Sequence, residues 1–214
     1  MKNVKWKNTI LTLIVTGLTF GTYYLFLKSR YFIIFDYWFR HNKFKFVLFL
    51  FIFKIISVLW PPLTGGLFTM ASIPLLGWLN AYMIDLIAST IGGIIAYFLG
   101  RKYGYRILGF LFDKKLVKKM CKVKVKSGRE IEAVFLYRMF LGTTIIEAIY
   151  YGAGFLKIKF AYFLVGAVAS HIVVGIPSYF LVKNVFEGKN LLLIILSIMF
   201  GIPFFVVFRR RYFE

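Results

Sequence analysis

The chain has 214 residues, of which 60% are hydrophobic and 17% are charged, and its mean hydropathy is +0.78. A soluble domain carries about 45–50% apolar and about 25% charged residues, and a small globule cannot bury such an excess because it must present a surface to water. Composition therefore excludes a soluble globular enzyme and predicts an integral membrane protein. The 28 Lys and Arg residues against 8 Asp and Glu give a net charge of +20.

Most of the basic residues lie between hydrophobic stretches, which indicates contact with anionic lipid head groups and not with nucleic acid. The single cysteine, Cys121, excludes an intramolecular disulfide and a cysteine-based metal cluster. The sequence also lacks a G-x-x-x-x-G-K phosphate loop and a Cys/His metal cluster. We therefore expect no cofactor, no metal and no catalytic residue.

The first apolar stretch, 9–27, is uncharged and follows three lysines. A helix needs about 20 residues to cross about 30 Å of hydrocarbon, and no small-residue cleavage site follows this stretch. The pattern predicts a retained anchor helix, which forms a first domain, 1–45, together with an interfacial segment. A cytoplasmic segment 28–45 would place the N-terminal lysines outside, unless residues 31–39 cross the membrane or lie in its interface, so the side of the N-terminus stays open.

The next stretch, 46–60, is a second predicted span in which Lys54 is expected to snorkel towards the interface. It is followed by 61–74, which begins with Pro61 and Pro62 and contains Gly65 and Gly66. Broken backbone at membrane depth survives only when it is shielded by protein or lines a wet cavity. We predict a re-entrant hairpin here.

Residues 77–100 form the third predicted span. Gly92, Ala96 and Gly100 recur in it at every fourth position. Small residues at that spacing let helix backbones approach closely, so we expect a packing face. The alternative is a groove that faces a ligand.

Residues 101–130 hold 11 Lys and Arg against two acids, which predicts a cytoplasmic segment. Between 102 and 126, lysines alternate with apolar residues at helical spacing. This pattern predicts a basic amphipathic helix on the inner leaflet, with a solvated loop as the alternative. The lysines expected to contact lipid are Lys114, Lys115, Lys118, Lys119 and Lys122.

A second broken stretch, 133–155, contains Gly142, where we expect a turn, and Gly154. If it returns to the side it entered from, the triple arginine at 209–211 is cytoplasmic, whereas a full crossing would place it outside. We therefore predict a second re-entrant hairpin, entering from the face opposite to the first. Two further spans, 160–182 and 190–208, and a basic tail, 209–214, complete the chain.

The predicted fold is an all-α integral membrane protein with about five or six transmembrane helices and two opposed re-entrant hairpins. Its membrane domain is 46–208, and its location is an inner or plasma membrane, which it crosses several times. Whether copies associate into a homo-oligomer stays open.

Charges within the apolar segments are the candidates for substrate binding. An ionised side chain in the bilayer core costs about 2.5–3.5 kcal/mol, so it faces a partner or a wet cavity. We expect Arg138 to bind a phosphate head group and Glu147, nine residues later, to hold it between substrates or take up a proton. The alternative is a structural ion pair. Asp85 meets Arg138 or a proton, or is a polar residue near the outer interface, and His171 is expected to be a hydrogen-bonded packing residue.

Three segments resemble the DedA/VTT-domain family, also called SNARE-associated or TVP38-like. The run GGIIAYFLGRKYG, 92–104, resembles the G-x-x-x-x-Y-x-x-G-R-x-x-G signature of its first half. The run WPPLTGGLF, 60–68, resembles the proline-led first hairpin, and FLYRMFLGTTIIEAIYYGAGFLKIKFAYFLVG, 135–166, resembles the second half. The resemblance covers 60–182, more than half of the chain.

The resemblance implies paired re-entrant hairpins and a role in lipid scrambling, polyprenyl-phosphate flipping or proton-dependent transport. Arg138 matches the family's hairpin arginine and Arg101 its span-end arginine, while Tyr97, Gly100 and Gly104 match signature positions. The chain lacks the second hairpin arginine and the first-hairpin acid of DedA-type members, so it is more similar to the TVP38-like branch.

The leading hypothesis is a carrier or a scramblase or flippase that translocates an anionic lipid, either a phospholipid or a polyprenyl phosphate. A first alternative is a non-transporting membrane scaffold whose basic face recruits lipid or protein. A second is a proton-coupled transporter of an ion or small molecule.

Overall fold

The structure is a computed structural model that describes residues 25, 29–63, 65–121, 123, 125, 128–141 and 146–186. The predicted spans 9–27 (apart from residue 25) and 190–208, the tail 209–214, Lys122 and Gly142 lie outside these residues. The described part contains helices, turns and loops but no strand, so the prediction of an all-α protein is confirmed there.

The first six helices in chain order are α1 (Arg30–His41), α2 (Lys43–Leu59), α3 (Gly65–Ala71), α4 (Ile73–Leu76), α5 (Trp78–Tyr103) and α6 (Tyr105–Leu111). They are followed by α7 (Lys114–Met120), α8 (Glu130–Leu141), α9 (Ile146–Phe155) and α10 (Phe160–Phe186). The chain divides into two compact units, 1–48 and 49–214. In the first unit, the Phe46 ring meets the rings of Phe35, Trp38 and Phe39 edge-on.

In the described part of the second unit, two helices are long and apolar enough to cross a membrane. They are α5, with a mean hydropathy of 1.7, and residues Phe160–Asn184 of α10, with 1.8. The 26 residues of α5 span about 39 Å at 1.5 Å per residue, more than the hydrocarbon core. One stripe of α5 carries exposed Ile87, Ile91, Ile95 and Phe98, as expected of a face that contacts lipid tails.

The two prolines mark the turn of a helical hairpin. Helix α2 ends at Leu59, and the turn that follows is closed by a hydrogen bond from the Leu63 N–H to the Trp60 carbonyl, 3.0 Å. The start of α3 then packs on α2 so closely that a Cβ at Gly65 would lie 1.9 Å from the Ser57 hydroxyl oxygen. The first hairpin therefore uses α2, predicted as a span, as one arm and α3 as the other.

The second helical hairpin consists of α8 and α9, which contact each other. Helix α9 packs along α5, and α8 packs along α10. The Tyr151 hydroxyl of α9 donates a hydrogen bond to the Leu59 carbonyl at the end of α2, 3.0 Å. One arm of each hairpin thus meets the other hairpin.

The small-residue stripe of α5 is a packing face, as predicted. A Cβ at Gly92 would lie 2.8 Å from the Val58 side chain of α2, and one at Gly100 would lie 2.1 Å from the Tyr151 carbonyl oxygen of α9. Ala96, between them, is fully buried.

The prediction of one basic amphipathic helix over 102–126 is wrong. Helix α5 ends at Gly104, whose φ of +51° is a conformation that glycine adopts at little cost. A further break at Phe112, which is extended, separates α6 from α7. In α7, Lys114 and Lys118 are exposed and Val117 is buried, so a basic face exists but on a helix of 7 residues.

Candidate substrate site

A buried ion pair joins the first hairpin to the first long span. Lys54 Nζ of α2 lies 2.7 Å from Asp85 Oδ1 of α5, and the two side chains are 12% and 8% exposed. The expectation that Lys54 snorkels is therefore wrong, because the nearby carboxylate offers a closer partner than the interface does. Asp85 is thus a buried, paired residue, and its depth relative to the outer interface stays a prediction.

Two hydroxyl groups complete the surroundings of the Asp85 carboxylate. The Thr69 hydroxyl of α3 donates to Asp85 Oδ1 at 2.9 Å. The Tyr179 hydroxyl of α10 donates in turn to Thr69 Oγ1 at 2.7 Å. Side chains from α2, α3 and α10 therefore contact this one carboxylate of α5.

His171 of α10 bridges Asp85 and Arg138. Its Nε2 lies 3.1 Å from Asp85 Oδ2, and its Nδ1 contacts Arg138 Nη2. Since a guanidinium only donates hydrogen bonds, Nδ1 must accept from Arg138, and Nε2 must carry the proton that it donates to Asp85. The contacts of both ring nitrogens thus assign the neutral Nε2–H tautomer. The sequence analysis expected a hydrogen-bonded histidine here, but not one that links two charges.

Arg138 of α8 is held by neutral groups. Its Nη1 donates to the Ala167 carbonyl of α10 at 2.5 Å, and its guanidinium lies 5.2 Å from the centroid of the Tyr150 ring of α9, a favourable cation–π distance. The side chain is 8% exposed. Among the described residues no carboxylate forms an ion pair with it.

The expected direct pair between Arg138 and Glu147 does not form in the described part of the chain. Glu147 lies in the first turn of α9 and is partly buried. It interacts electrostatically with Lys54 and, more weakly, with Arg138. Arg138 instead turns towards α10, where a carbonyl and the imidazole accept its hydrogen bonds. We name Lys54, Asp85, Arg138 and His171 the charged centre.

A small cavity lies beside the charged centre. Its volume is about 10 Å³, which suffices for about one water molecule. Arg138 and Tyr150 line it on one side and Ser89, Thr90 and Gly93 of α5 on the other. The guanidinium therefore borders a partly polar space that is too small for a phosphate group.

The residues of the family signature gather elsewhere, where α5 crosses α9. A Cβ at Gly154 would lie 1.9 Å from the Tyr97 carbonyl oxygen. The Tyr97 hydroxyl donates to the Ile158 carbonyl at 2.6 Å and accepts from Arg101 Nη1 at 2.9 Å. We name Tyr97, Gly100, Arg101 and Gly154 the signature junction. Its contacts are backbone approach and hydrogen bonding, so its role here is to fasten two helices.

The comparisons with known proteins agree with this architecture. The family model described as the VTT domain matches residues 60–184, more than half of the chain. The chain belongs to the VTT domain family. The resemblance noted in the sequence is thereby confirmed. The VTT family is membrane-associated, is commonly linked to lipid or small-molecule transport, and is generally of the transporter type and not enzymatic.

An uncharacterised protein of Methanocaldococcus jannaschii is 34% identical over 62 residues, which are 28% of this chain and 39% of that protein. The chain therefore matches less than half of the length of that relative. No solved structure matches this VTT protein.

Sequence reasoning assigned no functional role to Lys54 or His171 of the charged centre. Lys54 carried the same signal as Arg138, a lone cation in an apolar stretch, which is costly unless it has a partner. A search for an acidic partner of each cation in the apolar stretches would have paired Lys54 with Asp85. Within the described residues, no three His, Cys, Asp or Glu side chains gather to hold a metal ion.

Proposed function

We propose that this VTT protein is a membrane carrier or scramblase that translocates an anionic lipid, either a phospholipid or a polyprenyl phosphate. The observation that carries the proposal is Arg138. It is a buried guanidinium in an apolar hairpin, bonded to neutral acceptors. Burying a charge inside a membrane protein is costly, and residues that do so commonly mark substrate pathways.

The proposed topology places the protein in an inner or plasma membrane that it crosses several times, with two opposed re-entrant hairpins. Because α2 is then a hairpin arm, the expected five or six crossings are reduced to α5, α10 and the predicted spans 9–27 and 190–208, with 31–39 as a fifth if it crosses. The hairpins are α2–α3 and α8–α9. Each contributes one cation to the charged centre, Lys54 and Arg138 respectively. Broken helices that meet at mid-membrane are how several transporters build a polar site, and such a site holds a head group while its tails stay in lipid.

Recognition of the head group follows from the guanidinium fork, which matches two phosphate oxygens. Phosphate oxygens would replace the Ala167 carbonyl and His171 Nδ1 as the acceptors of Arg138. No carboxylate has to be displaced from direct contact with the arginine, because Asp85 is bonded to Lys54 and His171. A lysine would offer charge without the bidentate geometry.

The described arrangement is a closed one in this proposal. The cavity beside Arg138 holds about one water, so a phosphate reaches the guanidinium only after α8 and α9 move relative to α5 and α10. Binding therefore exchanges the contacts of Arg138 within the protein for contacts with the substrate.

Reconstituted vesicles with a fluorescent phosphatidylglycerol in both leaflets test the proposal. Wild-type protein should make the inner-leaflet lipid accessible to a membrane-impermeant quencher. Arg138→Lys should slow this translocation about 10- to 100-fold, since a charge-assisted hydrogen bond is worth about 1.5–3 kcal/mol. The matched control is Arg106→Lys, the same change at an exposed arginine of α6, which should leave the rate unchanged.

Equal rates for Arg138→Lys and wild type, with both proteins correctly folded, would contradict the role of Arg138. Wild-type vesicles no faster than protein-free ones would contradict lipid translocation itself. That second outcome would favour the scaffold, whose basic face includes the exposed Lys114 and Lys118. Lipid association would then depend on those lysines and not on Arg138.

A further inference from the structure

The charges of the charged centre balance only when the neighbouring Glu147, which is bonded to neither cation, is counted as an ionised carboxylate. Lys54 and Arg138 supply two cations, while Asp85 and the nearby Glu147 supply two carboxylates. A monoanionic head group at Arg138 would add one negative charge that none of these four groups compensates. A net charge in a low-dielectric interior is costly, so the anion needs a cation to accompany it.

His171 is placed to bind that cation as a proton. In the described arrangement its Nδ1 accepts from Arg138 and its Nε2 donates to Asp85. A proton on Nδ1 would set a donor against the donors of Arg138, so the contact between the two side chains would break. The same proton would make the partner of Asp85 an imidazolium, a charged hydrogen bond of the stronger kind.

We infer that His171 takes up one proton for each monoanionic phosphodiester head group that Arg138 binds. This inference rests on the proposed function and adds the proton as a second ligand of the same site. One proton then does two things. It frees the Arg138 guanidinium for the phosphate, and it restores electrical neutrality once the phosphate is bound.

Other titratable groups surround His171 and are the competing sites for the proton. Asp85 and Glu147 are the carboxylates. Asp85 is bonded to the Lys54 ammonium and to the neutral imidazole of His171, whereas Glu147 has no bonded cation among the described residues. The groups that face His171 or the charged centre are Asp85 and Tyr82 of α5, Lys54 of α2, Arg138 of α8, Glu147 and Tyr150 of α9, and Tyr179 of α10.

Calorimetry on the purified full-length protein counts the proton directly. A short-chain phosphatidylglycerol is titrated into the protein at constant pH in two buffers of different ionisation enthalpy. A short-chain phosphatidylcholine of equal chain length serves as the zwitterionic control. We expect the wild-type protein to take up about one proton per phosphatidylglycerol, and its affinity to fall about tenfold for each unit of rising pH.

The informative variant is His171→Gln. Glutamine can donate to Asp85 from the position of Nε2 but places no acceptor where Nδ1 lies, and it does not take up a proton. Its phosphatidylglycerol affinity should be independent of pH and its proton uptake zero. The control is His41→Gln, a change at the other of the chain's two histidines, which is exposed on α1 and should leave both quantities at wild-type values.

The outcomes separate the inference from the proposed function. Wild-type protein that binds phosphatidylglycerol without proton uptake overturns the inference and leaves the proposed function standing. Undiminished proton uptake in His171→Gln also overturns it, because the proton then binds elsewhere, with Glu147 the first alternative. Wild-type protein that binds phosphatidylglycerol no better than phosphatidylcholine overturns both. A wild-type proton count of zero overturns the inference even if the variant does not fold.

Discussion

The charged centre and the signature junction both join helices distant in sequence, and both are largely buried, apart from the exposed Arg101 of the junction. They differ in the kind of atoms that make their contacts. At the junction, backbone atoms of α5 and α9 approach so closely that no added methyl group fits at Gly100 or Gly154. At the centre, ionisable side chains from four helices share partners through single hydrogen bonds and ion pairs. Close packing has one arrangement, whereas shared hydrogen-bond partners can be exchanged. The comparison indicates that the junction fastens the fold and that the centre can rearrange, as the proposed function requires.

The largest expected effect is at the centre. Asp85→Leu removes the carboxylate that neutralises Lys54 and leaves a buried ammonium without a counter-ion. Removing one partner of a buried pair costs about 3–5 kcal/mol. We expect the free energy of unfolding of the reconstituted protein, measured by denaturant titration, to fall by about that amount.

The double change Lys54→Leu with Asp85→Leu sharpens this test. An apolar pair of similar volume often matches or exceeds the stability of a buried ion pair, so most of the lost stability should return. Lipid translocation should not return, because His171 has lost the acceptor that fixes its tautomer. A double variant that is both stable and fully active would show that the centre is merely structural, like the junction.

Features of these two regions could be predicted from the sequence when the residues that cause them are close together in the chain. The stripe Gly92–Ala96–Gly100 lies on one helix, so its spacing alone indicated a packing face, and the signature indicated the junction residues. Breaks in the helices after Leu59 and between α8 and α9 were predicted from prolines and glycines, which act on the backbone locally. These features could be predicted because their physical cause is contained in a few adjacent residues. The use of α2 as an arm of the first hairpin was not predicted.

The partners of the charges could not be predicted in the same way. Arg138 and Glu147 were paired because a hairpin brings its arms together, but the structure gives Arg138 a partner 33 residues away, His171. Lys54 and Asp85 lie on different helices, and their meeting depends on how α2 packs on α5. The prediction of one basic helix over 102–126 was wrong for a related reason, because regular lysine spacing carries no information about the positive φ at Gly104.

The next largest expected effect is at the signature junction. Gly154→Ala would place a methyl carbon 1.9 Å from the Tyr97 carbonyl oxygen and 2.8 Å from the Arg101 nitrogen. Both are backbone atoms of α5, so the helices must separate, and overpacking of this kind costs about 1–3 kcal/mol. The free energy of unfolding should fall accordingly, while translocation per folded molecule stays near the wild-type value.

Gly109→Ala is the matched control for this change. Gly109 lies within α6, and a Cβ there would meet nothing within 4 Å among the described residues. Alanine is favoured over glycine in a helix by up to about 1 kcal/mol, so stability should be unchanged or slightly higher. Loss of stability in both variants would mean that helix α6, and not the close approach at the junction, limits the fold.

The smallest effects come from removing one hydroxyl group from each region. Tyr97→Phe takes away the donor to the Ile158 carbonyl and the acceptor of Arg101. Arg101 is exposed, but the buried Ile158 carbonyl is left unpaired, at a cost of about 1–3 kcal/mol. Tyr82→Phe makes the same chemical change beside the charged centre. Tyr82 is 3% exposed, and its hydroxyl has no hydrogen-bond partner among the described residues.

The two variants should therefore diverge in both stability and rate. Removing an unpartnered buried hydroxyl relieves a desolvation cost, so Tyr82→Phe should be as stable as wild type or more stable by up to about 1 kcal/mol. The Tyr82 ring lies 5.9 Å from that of His171, close enough for the hydroxyl to bond a phosphate that has entered the centre. Loss of one such hydrogen bond, worth about 1 kcal/mol, should slow translocation roughly fivefold in Tyr82→Phe. Tyr97→Phe should lower the free energy of unfolding but keep the rate per folded molecule. If the two variants lose stability and translocation rate in the same proportion, the hypothesis that the junction stabilises the fold while the centre binds the substrate is wrong.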